Sequence, residues 1–417
     1  MSQPSLHLSL AKKLGGLLVA SLLIWAVVRS VPWQDRLLVT WNEGGEEMEY
    51  VGTINGPWQA AEVQYTLQAP DAAPASQDNP AWDGQVLAGA TVEASATDLR
   101  SGTESFEFHH LEWRPGIPRV LRELRPSAVI PAFLVLILCS LLVITRWYVL
   151  LRAVGCPTRW FQVLRVTYVG LFFNLVLPGM NGGDLARAYW IVKGHPEKRA
   201  VALMSVFVDR LLGLFAMTLL ATVAIYTNND RFESLRLPVL AVCSAMFVGG
   251  FALVNPHLRR LVRFDALIGR LPGGEKFRSL DSALRLYASR PMAVLISILL
   301  SIANHLGAAT ALYLLGQGLG DQHGFHDYVC LATVVNTLSA VPLTPGGLGV
   351  GEILAGSMLR LAGGSYTIGV AASITYRVGL FALGLLGGLV LIMPGGAAIR
   401  RDLAEAEAEG DSKGESE

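Results

Sequence analysis

Apolar residues arrive in long blocks along this chain. Six of these, at 14–31, 128–145, 200–226, 237–254, 292–315 and 366–393, have about the length that crosses a bilayer. Two further apolar segments, 161–190 and 328–361, are interrupted by Pro and Gly. In the first, Pro178 is followed four residues on by Gly182 and Gly183, then at once by Asp184 and Arg187. In the second, Pro342 is followed four residues on by Gly346 and Gly347, with Glu352 beyond. The likeness extends downstream: Arg210 opens an apolar stretch containing Gly213 and Phe215, and Arg377 opens one containing Gly379 and Phe381. The pattern is two copies of one unit, each an apolar half, a break, a polar half and a helix carrying an arginine. Matched breaks in two halves of a membrane protein point to a transport site.

Residues 33–125 read differently. Runs at 36–41, 48–54, 62–68, 86–94 and 105–113 alternate or carry β-branched and aromatic residues, which predicts short strands. The 71–83 stretch, rich in Pro, Ala and Asp, predicts a loop. A small β-rich insert between the first two helices follows. It carries no catalytic constellation. His109 and His110, as strand neighbours, face opposite sides and do not form a metal pair.

Composition supports the membrane assignment. Hydrophobic residues are 52% of the chain and charged residues 16%, against about a quarter charged in soluble proteins. A net charge of zero gives no global attraction to nucleic acid. Cys139, Cys156, Cys243 and Cys330 lie in or beside apolar segments, with spacing suited neither to a metal nor to a disulfide framework, and read as packing residues.

Loop charge sets the sidedness. The 255–290 loop carries eight Lys and Arg, and the 316–327 loop carries none. With Lys12, Lys13, Arg400 and Arg401 also inside, the assignments agree only if both broken segments are re-entrant. The first hairpin then enters from the cytoplasm and the second from outside. Three spans separate them, so the copies are inverted. Arg146, Arg152, Arg159 and Arg165 read as cytoplasmic residues beyond the second span, about matched in number by Arg114, Arg119, Arg122 and Arg125 outside. The expected fold is mainly α and polytopic, with six spanning helices, two re-entrant broken-helix hairpins in an inverted repeat and a β-rich extracytoplasmic insert. Its parts are a first transmembrane helix (1–32), the insert (33–125), a transmembrane domain (126–399) and a disordered acidic cytoplasmic tail (400–417). The expected location is the plasma (inner) membrane, multi-pass, with both termini cytoplasmic.

Irregular backbone at membrane depth survives only where it is buried in protein or lines a wet cavity. A helix restarting after each glycine pair offers amides to a phosphate or carboxylate, and Arg187, Arg210 and Arg377 add full charge in the planar form that suits phosphate. Asp184, Asp209 and Glu352 balance those charges in the empty site. Asn174, Asn304 and His305 add uncharged polar positions. Intramembrane charges are costly and mark function, although Asp184 and Arg187, one turn apart, also suit a simple mutual pair. The expected substrate-binding set is therefore Asn174, Pro178, Gly182, Gly183, Asp184, Arg187, Asp209, Arg210, Asn304, His305, Pro342, Gly346, Gly347, Glu352 and Arg377. No metal, cofactor or catalytic residue is expected.

The element from Leu177 to Arg187, Leu-Pro-x-x-x-Gly-Gly-Asp-x-x-Arg, and that from Pro342 to Glu352, Pro-x-x-Pro-Gly-Gly-x-Gly-x-x-Glu, resemble paired motifs of one family. It is the transmembrane region of lysylphosphatidylglycerol synthases with its stand-alone flippase-like relatives. The resemblance covers the first helix and roughly 128–395. The 33–125 insert departs from the usual short connection. In the bifunctional synthases a soluble aminoacyl-transfer domain follows, whereas here a short acidic tail follows, so lipid aminoacylation is not expected. The resemblance implies translocation of a polar-headed lipid, phospho- or polyprenyl-phosphate-linked, between leaflets. The expected partner is a membrane lipid with a phosphate-containing headgroup. Two alternatives stand beside it: a membrane glycosyltransferase using a lipid-phosphate sugar donor, and a non-catalytic scaffold presenting the insert.

Overall fold

A computed structural model describes residues 33–40, 47–55, 62–67, 91–95, 99–101, 104–106, 110–176, 182–227, 231–255, 257, 274–339 and 349–392. The chain divides into two compact units. The first comprises the described residues up to Val129, with Leu314–His323 and Gly349–Ile374. The second comprises those of Ile130–Tyr313 and Gly324–Leu348 and those from Thr375 onwards.

The first unit is built on a seven-stranded antiparallel sheet in the order β6-β5-β4-β3-β2-β1-β7. The strands are β1 (Asp35–Thr40), β2 (Glu47–Asn55), β3 (Glu62–Leu67), β4 (Thr91–Ser95), β5 (Leu99–Ser101), β6 (Glu104–Phe106) and β7 (His110–Arg114). The expected 105–113 strand is thus two short strands, and β5, with three residues, is too short to register as an alternating run. The sheet meets the short helix α1 (Ile117–Arg122) through buried Asp35. Its carboxylate accepts from the backbone of Ile54 (2.9 Å) and Gly116 (2.6 Å) and from Arg119 Nε (2.9 Å). Arg119 in turn donates to the Ile54 carbonyl at 2.6 Å.

The remaining helices are α2 (Pro126–Ala153), α3 (Trp160–Val176), α4 (Gly182–Gly194), α5 (Arg199–Thr227), α6 (Glu233–Val254), α7 (Gly274–Ala288), α8 (Pro291–Gly318), α9 (Phe325–Ser339), α10 (Val350–Leu361) and α11 (Tyr366–Ile392). Five of them, α2, α5, α6, α8 and α11, are long and apolar enough to cross a membrane. They match five of the six expected spans; the sixth, 14–31, lies outside the described residues, as do the tail, the 71–83 loop and His109. On α2, Ile130, Leu134 and Leu138 are 65%, 59% and 55% exposed at four-residue spacing, a stripe with no core partner among the described residues that suits lipid. The four cysteines are buried free thiols. Burial pushes the thiol of Cys156, in the loop after α2, above its ordinary pKa, opposed by nearby Lys198.

Within the second unit, the first interrupted segment folds back on itself. Helix α3 ends at Val176 and α4 restarts at Gly182. At about 1.5 Å per residue these are roughly 25 and 20 Å long. Their backbones approach closely: a side chain on Gly183 would run into the Gly170 carbonyl and Asn174. At the opposite end of the pair, Lys198 Nζ donates to the Gly155 carbonyl at 2.7 Å, so the loop entering α3 and the loop leaving α4 meet. Gly384 and Gly387 of α11 let that helix press against Leu175 and the backbone at Tyr168 of α3.

Candidate functional site

Helix α4 starts with two buried glycines, and the amide of the second is taken up by the protein itself. Asn174 Oδ1 accepts from the Gly183 amide at 2.7 Å, so Asn174 caps the restarted helix. Asp184, one residue on, turns to α5 instead. Its two oxygens accept from Arg210 Nε and Nη2, both at 2.6 Å, a bidentate fork. Arg187, 4% exposed, makes a longer 3.4 Å contact with Asp184 and donates to Asp209 Oδ2 at 3.2 Å. The expected Asp184–Arg187 pair is therefore the weaker of Asp184's two ion pairs.

Asp209 is fully buried, and its other oxygen accepts from Arg146 Nε at 2.8 Å. Arg146 continues to Ser301 of α8, Nη1 to Oγ at 2.8 Å, and the Ser301 hydroxyl in turn donates to the Ser297 carbonyl. The result is a chain of five charged side chains, Arg146–Asp209–Arg187–Asp184–Arg210, across α2, α4 and α5. Three guanidinium groups against two carboxylates leave one positive charge in excess. Arg210 ends the chain with its side chain 56% exposed. The Arg187 guanidinium carbon lies 4.0 Å from the centre of the Trp147 ring, and the Trp147 indole N–H donates to Ser205 at 3.1 Å. The Arg187 Nε–H is buried without an acceptor among the described residues.

Arg146 is a correction to the sequence reading, which placed it in a cytoplasmic loop. Helix α2 continues to Ala153, and Arg146 is buried in it. The signal was the resumption of large apolar residues at Trp147, Leu150 and Leu151, all fully buried. Ser301 and Trp147 were missed with it. His305 Nε2 lies 3.1 Å from the Gly213 carbonyl, which can only accept, so the ring donates there. Gly213 is also where Arg146 passes, since a β-carbon there would lie 2.9 Å from Arg146 Nη1. Asn304 is half-buried on α8, and its backbone carbonyl accepts from the Cys139 thiol at 3.5 Å. Arg377 is half-buried on α11, in this same unit.

Glu352 belongs to the first unit. Its Oε2 accepts from the Gly349 amide at 2.6 Å, closing the start of α10, with Gly349 at φ +83° where a side chain would be strained. Pro178, Pro342, Gly346 and Gly347 lie outside the described residues.

A family model described as the lysylphosphatidylglycerol synthase TM region matches residues 115–388, a stretch that holds every charged residue of the chain just described. Two UPF0104 membrane proteins of Methanocaldococcus jannaschii are similar. One is 25% identical over 278 residues, 62% of this chain and 81% of its own length. Another is 24% identical over 229 residues, 53% of this chain and 93% of its own.

Proposed function

Because this multi-pass membrane protein belongs to the lysylphosphatidylglycerol synthase TM-region family, we propose that it moves a lipid with a phosphate-bearing headgroup from one leaflet to the other. One observation carries the proposal: a buried chain of five charges among apolar helices, in positive excess and ending at half-exposed Arg210. Each charge at mid-membrane costs about 2.5–3.5 kcal/mol even on the mild insertion scale. Internal pairing offsets most of that cost for the inner members. The surplus charge and the exposed end are what an anionic headgroup would use, while its acyl chains stay in lipid.

In this reading α3 and α4 are a re-entrant hairpin from the cytoplasmic face, supported by the Lys198–Gly155 bond between their outer loops. The segment around Pro342, Gly346, Gly347 and Glu352 is its inverted counterpart, with Arg377 playing the part of Arg210. Asn304 and His305 line the headgroup's path within the second unit. Both termini are cytoplasmic and the membrane is the plasma membrane. The test is reconstitution in liposomes with fluorescent phospholipids and dithionite quenching. Arg210→Ala abolishes translocation with the protein still folded, and Arg210→Lys restores part of it because the planar fork is lost. A folded Arg210→Ala variant that translocates at the wild-type rate overturns the proposal.

A further inference from the structure

A second polar feature lies outside the charge chain. Where the C-terminal ends of α2 and α4 meet the start of α3, a cavity of about 290 Å³ opens between Trp147, Thr158, Gln162, Arg165, Trp190 and His195. Its polar lining is dominated by donors. The Trp190 indole N–H is buried without an acceptor among the described residues, and the residue is 8% exposed. The Thr158 hydroxyl is likewise buried and unpaired among them. Gln162 spends its carbonyl on the Arg159 amide at 2.9 Å, which leaves its NH₂ as a donor. His195 Nδ1 donates to the Ile191 carbonyl at 3.0 Å. Arg165 adds a full positive charge, and no carboxylate lines the cavity among the described residues.

A buried donor with no acceptor costs about 1–3 kcal/mol. Two of them around one cavity, with a guanidinium and no anion, describe a site short of an oxyanion. Trp147 supplies a wall to this cavity and lies beneath Arg187, so cavity and charge chain share that ring. We infer that the cavity binds a phosphate group at the membrane surface and loads it toward Arg187. The identification of that phosphate as a lipid headgroup rests on the transport reading; the oxyanion site does not.

Calorimetric titration of the full chain in neutral detergent tests this, run in wild type and in Arg210→Ala. The probes are dihexanoyl phosphatidate, dihexanoylglycerol and inorganic phosphate. Phosphatidate binds and dihexanoylglycerol does not. Trp190→Phe, which removes the donor and keeps a ring, and Arg165→Gln, on an exposed side chain, each weaken binding about tenfold in both backgrounds. Inorganic phosphate that competes as well as the lipid supports the site and assigns it to the free anion; much weaker competition assigns it to the headgroup. Equal binding of dihexanoylglycerol, or unchanged phosphatidate affinity in Arg165→Gln and any folded Trp190→Phe, overturns the inference. Weakened binding in these variants, together with wild-type translocation by Arg210→Ala, leaves the cavity standing and removes the transport reading alone.

Discussion

Two helices restart after a glycine-rich break, and each carries a carboxylate on its third residue: Asp184 in α4 and Glu352 in α10. They do different work. Glu352 reaches back to its own helix and holds the Gly349 amide. Asp184 reaches across to α5 and holds Arg210 by two short bonds. The difference lies in which residue satisfies the exposed amides of the first turn. In α4, Asn174 from the preceding helix takes one of them, the Gly183 amide, and the carboxylate holds a cation instead. In α10 the longer glutamate closes the turn itself. A carboxylate after a glycine pair therefore cannot be assigned to a substrate site until the capping group is known.

The comparison can be broken at several points. The largest effect is expected one step behind Asp184. Asp209→Ala strands Arg146 and Arg187 in the protein interior, which costs about 3–5 kcal/mol. Thermal unfolding in detergent, read by the loss of the monodisperse peak, should fall well below wild type; a midpoint within a degree or two would mean the arginines find other partners. Next comes the pair Asp184→Asn and Glu352→Gln. Arg210 is half-exposed, so Asp184→Asn costs only about 1 kcal/mol or less of stability, yet translocation falls by roughly tenfold, the worth of one charged hydrogen bond. Glu352→Gln leaves both quantities near wild type, because glutamine also closes a capping box. Equal loss of transport in the two variants would show that the carboxylates share one task. The smallest effect is Asn174→Ala, about 1 kcal/mol of stability, with Asn174→Asp close to neutral on the same melting assay. A melting point unmoved by Asn174→Ala would return the capping role to Asp184.

Much of this was legible in the sequence. The α2, α5, α6, α8 and α11 spans follow from apolar length alone, and β1, β2 and β3 from alternation. The break between Val176 and Gly182 was marked by Pro178 and the glycines. Asp184, Arg187, Asp209 and Arg210 were singled out because charge within apolar runs is costly. The Asp184–Arg187 pair was legible from its one-turn spacing, but the partners on other helices were not, since the Arg146–Asp209 bond joins residues 63 apart and the Arg187–Asp209 bond residues 22 apart. Arg146 was lost because it follows Thr145 at the edge of an apolar window, where an arginine looks like the first loop residue. For Glu352, a capping glutamate and a substrate-facing glutamate look alike in the sequence until the amide beside it is located, and that amide is Gly349's.

Arg146 has a mechanical consequence as well. Its guanidinium enters the notch that Gly213 leaves in α5, is held there by Asp209, and reaches Ser301 on α8. Three spanning helices are thus keyed at one point, and sliding any of them by a single residue would drive a backbone or side chain into the key. Any shift of α2, α5 or α8 along its axis must therefore first break the Arg146–Asp209 and Arg146–Ser301 bonds together.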